Sequence, residues 1–154
     1  MVLRPFSAVL SRPEQIDDYS GFLGRVKENF TDYLDKGYFS EAQPPAMYAY
    51  QVVVGGQART GLLAAVSIQD YLEERVKRHE HTLVAKEVKQ AELLIQRGAV
   101  VKPVLLAHRH HQALADLLST HTNQFPPIQE LHLQDPQEIH RRGAITDQGE
   151  LEQI

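Results

Sequence analysis

The densest piece of potential chemistry in the chain is a carboxylate set between two imidazoles and beside two cations, in Val76-Lys77-Arg78-His79-Glu80-His81-Thr82. Glu80 has three readings there: a general base, a metal anchor or the node of an ion-pair cluster. Arg78 favours its charged form, which leaves the carboxylate a competent proton acceptor without making it catalytic, and on composition alone the ion pair is the stronger reading. The chain holds eight histidines, of which His108, His110 and His111 are the most closely grouped. Zinc bound from one helix wants imidazoles three or four residues apart, with carboxylates or thiolates completing the set. His108 and His111 meet the spacing, but Cys is absent and the next acid is Asp116, so no metal site is expected and the group reads as a solvated strand-to-helix loop. Arg59 either reaches a phosphate or stands in solvent. Tyr48 and Tyr50 share one face of a strand, which suits cross-strand packing better than ligand stacking. There is no nucleophile elbow and no dinucleotide fingerprint. Gly55-Gly56 falls between strands and not at a helix N-terminus, where it could cradle phosphate.

The elements that must position these residues alternate between helix and strand. Val2–Leu10 is short and apolar with Pro5 inside it, an edge strand or extended arm, because proline cannot donate to a ladder. Phe22, Leu23, Val26, Phe30, Tyr33 and Leu34 recur at helical spacing from Ser20, and Gly37 supplies the stop. Ala46–Val54 and Gln57–Val66 are rich in β-branched and aromatic residues, and the Gly55-Gly56 between them permits the positive φ of a tight hairpin. Ser67 is placed to cap a short helix through Tyr71 to Val76, and a longer helix runs from about Lys86 to Arg97, ended by Gly98. That second helix is expected to pack on the hairpin sheet through Val88, Leu93 or Leu94, and Ile95. A strand is expected at Lys102–Ala107, a helix at His110–Thr120 broken by Phe125-Pro126-Pro127, a strand near Glu130–Leu133, a last strand at about Ile139–Thr146, and a helix start at Asp147. The fold class is therefore α+β: a mixed, partly antiparallel sheet with a central hairpin and three to four helices.

Length and composition narrow the function. At 154 residues and 42% hydrophobic, one domain over residues 1–154 is expected. Sixteen Lys and Arg against 20 Asp and Glu give a net charge of −4, which lacks the basic footprint of a nucleic-acid binder. The absence of Cys excludes disulfides and thiolate chemistry and fits the cytoplasm. No apolar run approaches the roughly 20 residues of a spanning helix, and Met1–Leu10 has no cleavage site, so no membrane partner is expected. Acids concentrate late, with Glu130, Asp135, Glu138, Asp147, Glu150 and Glu152 against Arg141 and Arg142.

Leu3-Arg4-Pro5-Phe6, Pro45-Ala46-Met47-Tyr48-Ala49-Tyr50, Arg59-Thr60-Gly61-Leu62, Asp70-Tyr71, Lys77-Arg78-His79-Glu80-His81-Thr82, Lys86 and Pro103-Val104 follow one another in an order and spacing that resemble the bacterial and archaeal family known as domain of unknown function 1015. His140 and Ile145-Thr146-Asp147 are similar to a weaker segment of that family. The family in turn resembles the ParB and sulfiredoxin superfamily, which includes free-serine kinases. There, a His-Glu element acts on a substrate hydroxyl while an Asp-Gly-His-His-Arg turn holds nucleotide phosphates. The resemblance implies a fold that is ParB- and sulfiredoxin-like in part. It implies Glu80 as the base with His79 orienting it, and Arg59, Lys77, Arg78, Thr82 and Lys86 as ligand-binding residues. Nucleotide and Mg are implied as the family's cofactors.

The departures bear on activity. Asp-Gly-His-His-Arg does not occur, and Ala107-His108-Arg109-His110-His111-Gln112 imitates it without the glycine or the final arginine. Lys89-Gln90 stands where the family has Asp-Arg, and a segment with Pro-Tyr-Asp is missing after the N-terminal arm. A phosphoryl transfer without its phosphate turn loses its main electrostatic stabiliser. The expectation is a short or truncated family member, resembling the N-terminal part of a longer one. It would bind a small polar or phosphorylated metabolite, need no cofactor as a lone chain and be inactive alone. The alternative is a non-catalytic interaction or oligomerisation module. A homodimer is expected in either case, because the strands at Val52-Val53-Val54 and Leu62–Val66 carry few charges to blunt an open edge. The competing outcome is a C-terminal segment folded back over that edge.

Overall fold

Glycine in the left-handed region sets the centre of the architecture. In the computed structural model, Gly55 and Gly56 adopt φ of 56° and 79°, the twisted two-residue turn that lets flanking strands pair without splaying. The structure describes residues 3–11, 30–41, 44–78, 83–97, 99–100, 103–133, 138–147 and 149. The chain divides into two compact units: Met1–Ala8 with Gln43–Val76 and Leu106–Ile154, and Val9–Ala42 with Lys77–Leu105.

In the first unit, β4 (Met47–Val54) and β5 (Gln57–Leu63) form the expected hairpin, paired from Tyr48↔Leu63 to Val54↔Gln57. The other edge of β4 is covered along its whole length by β8 (Glu138–Ile145), which in turn pairs with β7 (Gln129–His132). The order is β5-β4-β8-β7, and every pairing among the described residues is antiparallel. The edge at Val52-Val53-Val54 is therefore closed by the late strand, and the sheet's edges are β5 and β7. Beside this sheet, β1 (Leu3–Arg4) pairs with β6 (Ala65–Val66), and Phe6 bridges to Ala46 with its ring edge-on to Tyr48 at 5.3 Å. This is the extended arm expected from Pro5.

The helix on the sheet is α4 (Gln112–Gln124). His111 caps it, with its Nδ1 accepting from the Leu114 amide at 3.3 Å, so one of the clustered histidines has a structural task. Leu114, Leu117 and Leu118 form one stripe of α4, and they pack with Ala49, Leu62 and Ile145 as the core. The helix expected on this sheet was the other one, which is α3 (Val84–Arg97) of the second unit. Its Val88, Leu94 and Ile95 are exposed, and the Leu93 side chain is outside the described set. The correction has a physical basis: Ala49 and Gly143 face each other across β4 and β8, and the small pair leaves room that α4 fills.

Ser67 caps α2 (Ile68–Leu72), accepting from the Gln69 amide. Asp70, fully buried, pairs with Arg75. In the second unit, β2 (Val9–Ser11) pairs with β3 (Phe39–Glu41), and α1 (Phe30–Asp35) stops at Gly37 with φ 72°. The part of that helix expected before Phe30 lies outside the described residues, as does most of the segment after Asp147. The strand expected at Lys102–Ala107 is corrected: 103–107 is irregular, with Val104 and Leu105 exposed, because Pro103 has no amide to donate and no strand lies beside the run among the described residues. Among the described residues, no helix is long and apolar enough to cross a membrane.

Candidate functional site

The stripe of α4 runs 114, 117, 118 and then 121, where the fourth residue is a histidine. His121 is 5% exposed, and its Nδ1 has no hydrogen-bond partner among the described residues. Its ring lies over Gly143, so close that a Cβ there would meet Nε2 at 3.0 Å and Cδ2 at 3.1 Å. Phe125, one turn on, lies with its ring centroid 4.9 Å from the imidazole and tilted by 35°, and Pro126-Pro127 then carries the chain away toward β7. Where the helix stops covering the sheet, the exposed part of that face is polar.

Strand register lines this part up. Thr60 of β5, Gln51 of β4, Arg141 of β8 and Glu130 of β7 are successive cross-strand partners, so all four side chains rise from one face. They are joined end to end. Gln51 Nε2 donates to Thr60 Oγ1 at 3.2 Å, Arg141 Nη1 donates to Gln51 Oε1 at 3.4 Å, and Arg141 Nε donates to Glu130 Oε2 at 2.6 Å. His132, two residues along β7, donates from Nε2 to the other Glu130 oxygen at 2.8 Å. The Arg141 hydrogen bond first, and the His132 hydrogen bond second, hold the Glu130 carboxyl below the usual glutamate range.

Gln51, Arg141 and Glu130 of this row floor an open cleft of about 340 Å³ between the end of α4 and the sheet, with His121, Asn123 and Phe125 on its helical side. The size falls in the range of small-ligand sites. The cleft offers a guanidinium, an ionised carboxylate and neutral amides together, so it can hold a small molecule with both signs of charge.

The residues singled out from sequence are distributed differently. His79, Glu80 and Thr82 lie outside the described residues. Lys77, Arg78 and Lys86 are exposed and belong to the second unit. Arg59 belongs to the first unit and is exposed, but it pairs with Val52, which places it on the sheet face opposite the cleft. The cleft residues went unnoticed, although a signal existed. Glu130-Leu131-His132 is an acid and a histidine two apart on a strand, hence on one face, and Gly143 is the single glycine of its strand.

Neither the curated proteins nor the solved structures contain a match to the chain. The profile of one family, described as protein of unknown function (DUF1015), matches residues 6–154. That span takes in the hairpin, α4 and every residue of the cleft, and the chain belongs to the DUF1015 family.

Proposed function

We propose that the chain is a phosphotransferase-like domain, related in part to the ParB and sulfiredoxin fold, that binds a small polar or phosphorylated metabolite without turning it over alone. The observation that carries this reading is the cleft whose floor sets Arg141 and Glu130 side by side, next to the neutral amide of Gln51. A zwitterion such as serine or phosphoserine, the class implied by the family resemblance, places a carboxylate or phosphate near Arg141 and an ammonium near Glu130.

Thermal-shift titration tests it. Serine or phosphoserine at about 100-fold over Kd raises stability by about 2.7 kcal/mol, and Arg141→Gln abolishes the shift. Nucleotide with Mg gives no shift and no phosphoryl transfer to serine, because no Asp-Gly-His-His-Arg turn is available. No response to either amino acid overturns the binding reading. Transfer that is lost on Glu80→Gln overturns the inactivity and makes Glu80, oriented by His79, the base.

A second reading, a homodimerising module, has one specific observation in its favour. The outer edge of β5 is unpaired among the described residues and carries Arg59 as its single charge. Two copies related by a two-fold axis would extend the sheet through it.

A further inference from the structure

The sheet face opposite the cleft carries a second polar arrangement. Glu138, His140 and Arg142 alternate onto that side of β8, and register sets Arg142 beside Tyr50 and His140 beside Val52. Tyr50 Oη lies 2.5 Å from His140 Nδ1, and His140 Nε2 lies 3.1 Å from Glu138 Oε1. A carboxylate can only accept, so Nε2 carries the hydrogen. In the neutral imidazole, Nδ1 is then a lone pair, and the Tyr50 hydroxyl must donate to it. The direction of the chain is fixed: Tyr50 to His140 to Glu138. Burial raises the Tyr50 pKa above the ordinary value, so the hydroxyl keeps its proton at neutral pH.

Protonation of His140 reverses one link. The imidazolium donates from both nitrogens, to Glu138 and to Tyr50, and the Tyr50 hydroxyl has to turn its hydrogen elsewhere. Beside it is a depression of about 190 Å³ bordered by Tyr50 of β4, His140 and Arg142 of β8, and Gln129, Leu131 and Leu133 along and just after β7. A cavity of about 150 Å³ takes benzene, so this one suits roughly six to eight non-hydrogen atoms. Among the described residues, the ionisable neighbours of His140 on this face are Tyr50 of β4, Glu138 and Arg142 of β8 and, across Val52, Arg59 of β5. Its β7 neighbour Leu131 is uncharged.

We propose that this depression is a binding site for a short-chain carboxylate, with Arg142 and the reversed Tyr50 hydroxyl on the carboxylate, Leu131 and Leu133 on the alkyl chain, and His140 taking up one proton as the anion binds. With neutral His140, the Tyr50 oxygen presents lone pairs to the site and repels the anion. With the imidazolium, it presents a hydrogen. No bond is made or broken other than the proton taken from solvent. The site is independent of the cleft reading and stands if that reading fails.

Calorimetric titration of the whole chain with butyrate, in two buffers of different protonation enthalpy, tests the site. Binding near pH 7 with net proton uptake, tighter at lower pH and weaker at higher pH by up to about tenfold per unit, is the expected result. His140→Gln removes the pH dependence and Tyr50→Phe weakens binding at about pH 6. Should either variant fail to fold, the His140 ring nitrogens of the unaltered protein provide the same readout by NMR, moving toward the imidazolium shifts on butyrate addition near pH 7. Absence of butyrate binding, binding without proton uptake, or ring nitrogens that do not move overturns the proposal. Inorganic phosphate binding as tightly as butyrate overturns the carboxylate assignment, because phosphate makes no use of Leu131 and Leu133.

Discussion

His121 and Gly143 are in a contact that a methyl group enters only if the ring gives way by a few tenths of an ångström, which makes the pair a direct probe of how the cleft is built. Gly143→Ala pushes a Cβ against the imidazole, and overpacking of this kind costs about 1–3 kcal/mol. Adding His121→Ala relieves the clash, so a double-mutant cycle in denaturant shows favourable coupling between the two substitutions, whereas additive losses would mean that the ring is free to move aside. Glu130 is read through pH. Its carboxyl is held low in the folded state by Arg141 and His132, so its contribution is fully present above the unfolded glutamate value and is lost as pH falls through the lower folded value. Glu130→Gln is thus less stable at neutral pH, by about 0.2–1 kcal/mol for a pair this exposed, and the difference from the unaltered chain vanishes in acid. A gap that persists in acid would place the effect in packing and not in charge. At this scale the sequence was legible only where chemistry is local. Glu80 attracted notice because its neighbours are adjacent in the chain, whereas Thr60, Gln51, Arg141 and Glu130 become a row only once four strands are in register.

At the scale of elements, the hairpin was readable because Gly55-Gly56 dictates its turn, and the start of α2 because Ser67 supplies its cap, whereas its end at Leu72, short of the expected Val76 and followed by Glu74 at φ 58°, was not. Gly37 likewise ends α1 as expected. The choice of helix to cover the sheet was not readable from periodicity, since α3 and α4 both carry apolar residues at helical spacing. What decides it is complementarity with Ala49 and Gly143, small residues far from α4 in the chain. Leu118, 8% exposed in the core of that contact, is the element's anchor. Leu118→Ala costs about 2–4 kcal/mol by urea denaturation, while Ile95→Ala on exposed α3 changes stability by about 0.5 kcal/mol or less. Equal losses at the two positions would show that α3 also carries a packed face. The strand misread at Lys102–Ala107 teaches the complementary lesson: an apolar run without a ladder partner remains irregular, and only the assembled sheet reveals which runs have partners.

For the whole molecule, the edge of β5 that is unpaired among the described residues yields a measurable mass. Light scattering at high micromolar concentration gives twice the 17.4 kDa of one chain if copies pair through β5, and Ala58→Lys on that edge returns the single-chain value. A single-chain mass for the unaltered protein removes the dimer. The two compact units interleave in sequence, since Val9–Ala42 and Lys77–Leu105 both interrupt the unit that holds the sheet. Neither composition nor periodicity reports such interleaving. The central place of β8 has a kinetic consequence. The β4–β5 hairpin closes locally, in about 1–10 μs, but Met47 cannot meet Ile145 until the ribosome has made everything between, on the order of ten seconds at ordinary elongation rates. Throughout that interval the newly made β4 presents an unpaired backbone edge together with Met47, Tyr48 and Ala49, all buried in the finished fold. The nascent chain is therefore a natural client for chaperones that shield extended apolar segments, and rapid overproduction without them should send it into inclusion bodies by way of β4 itself.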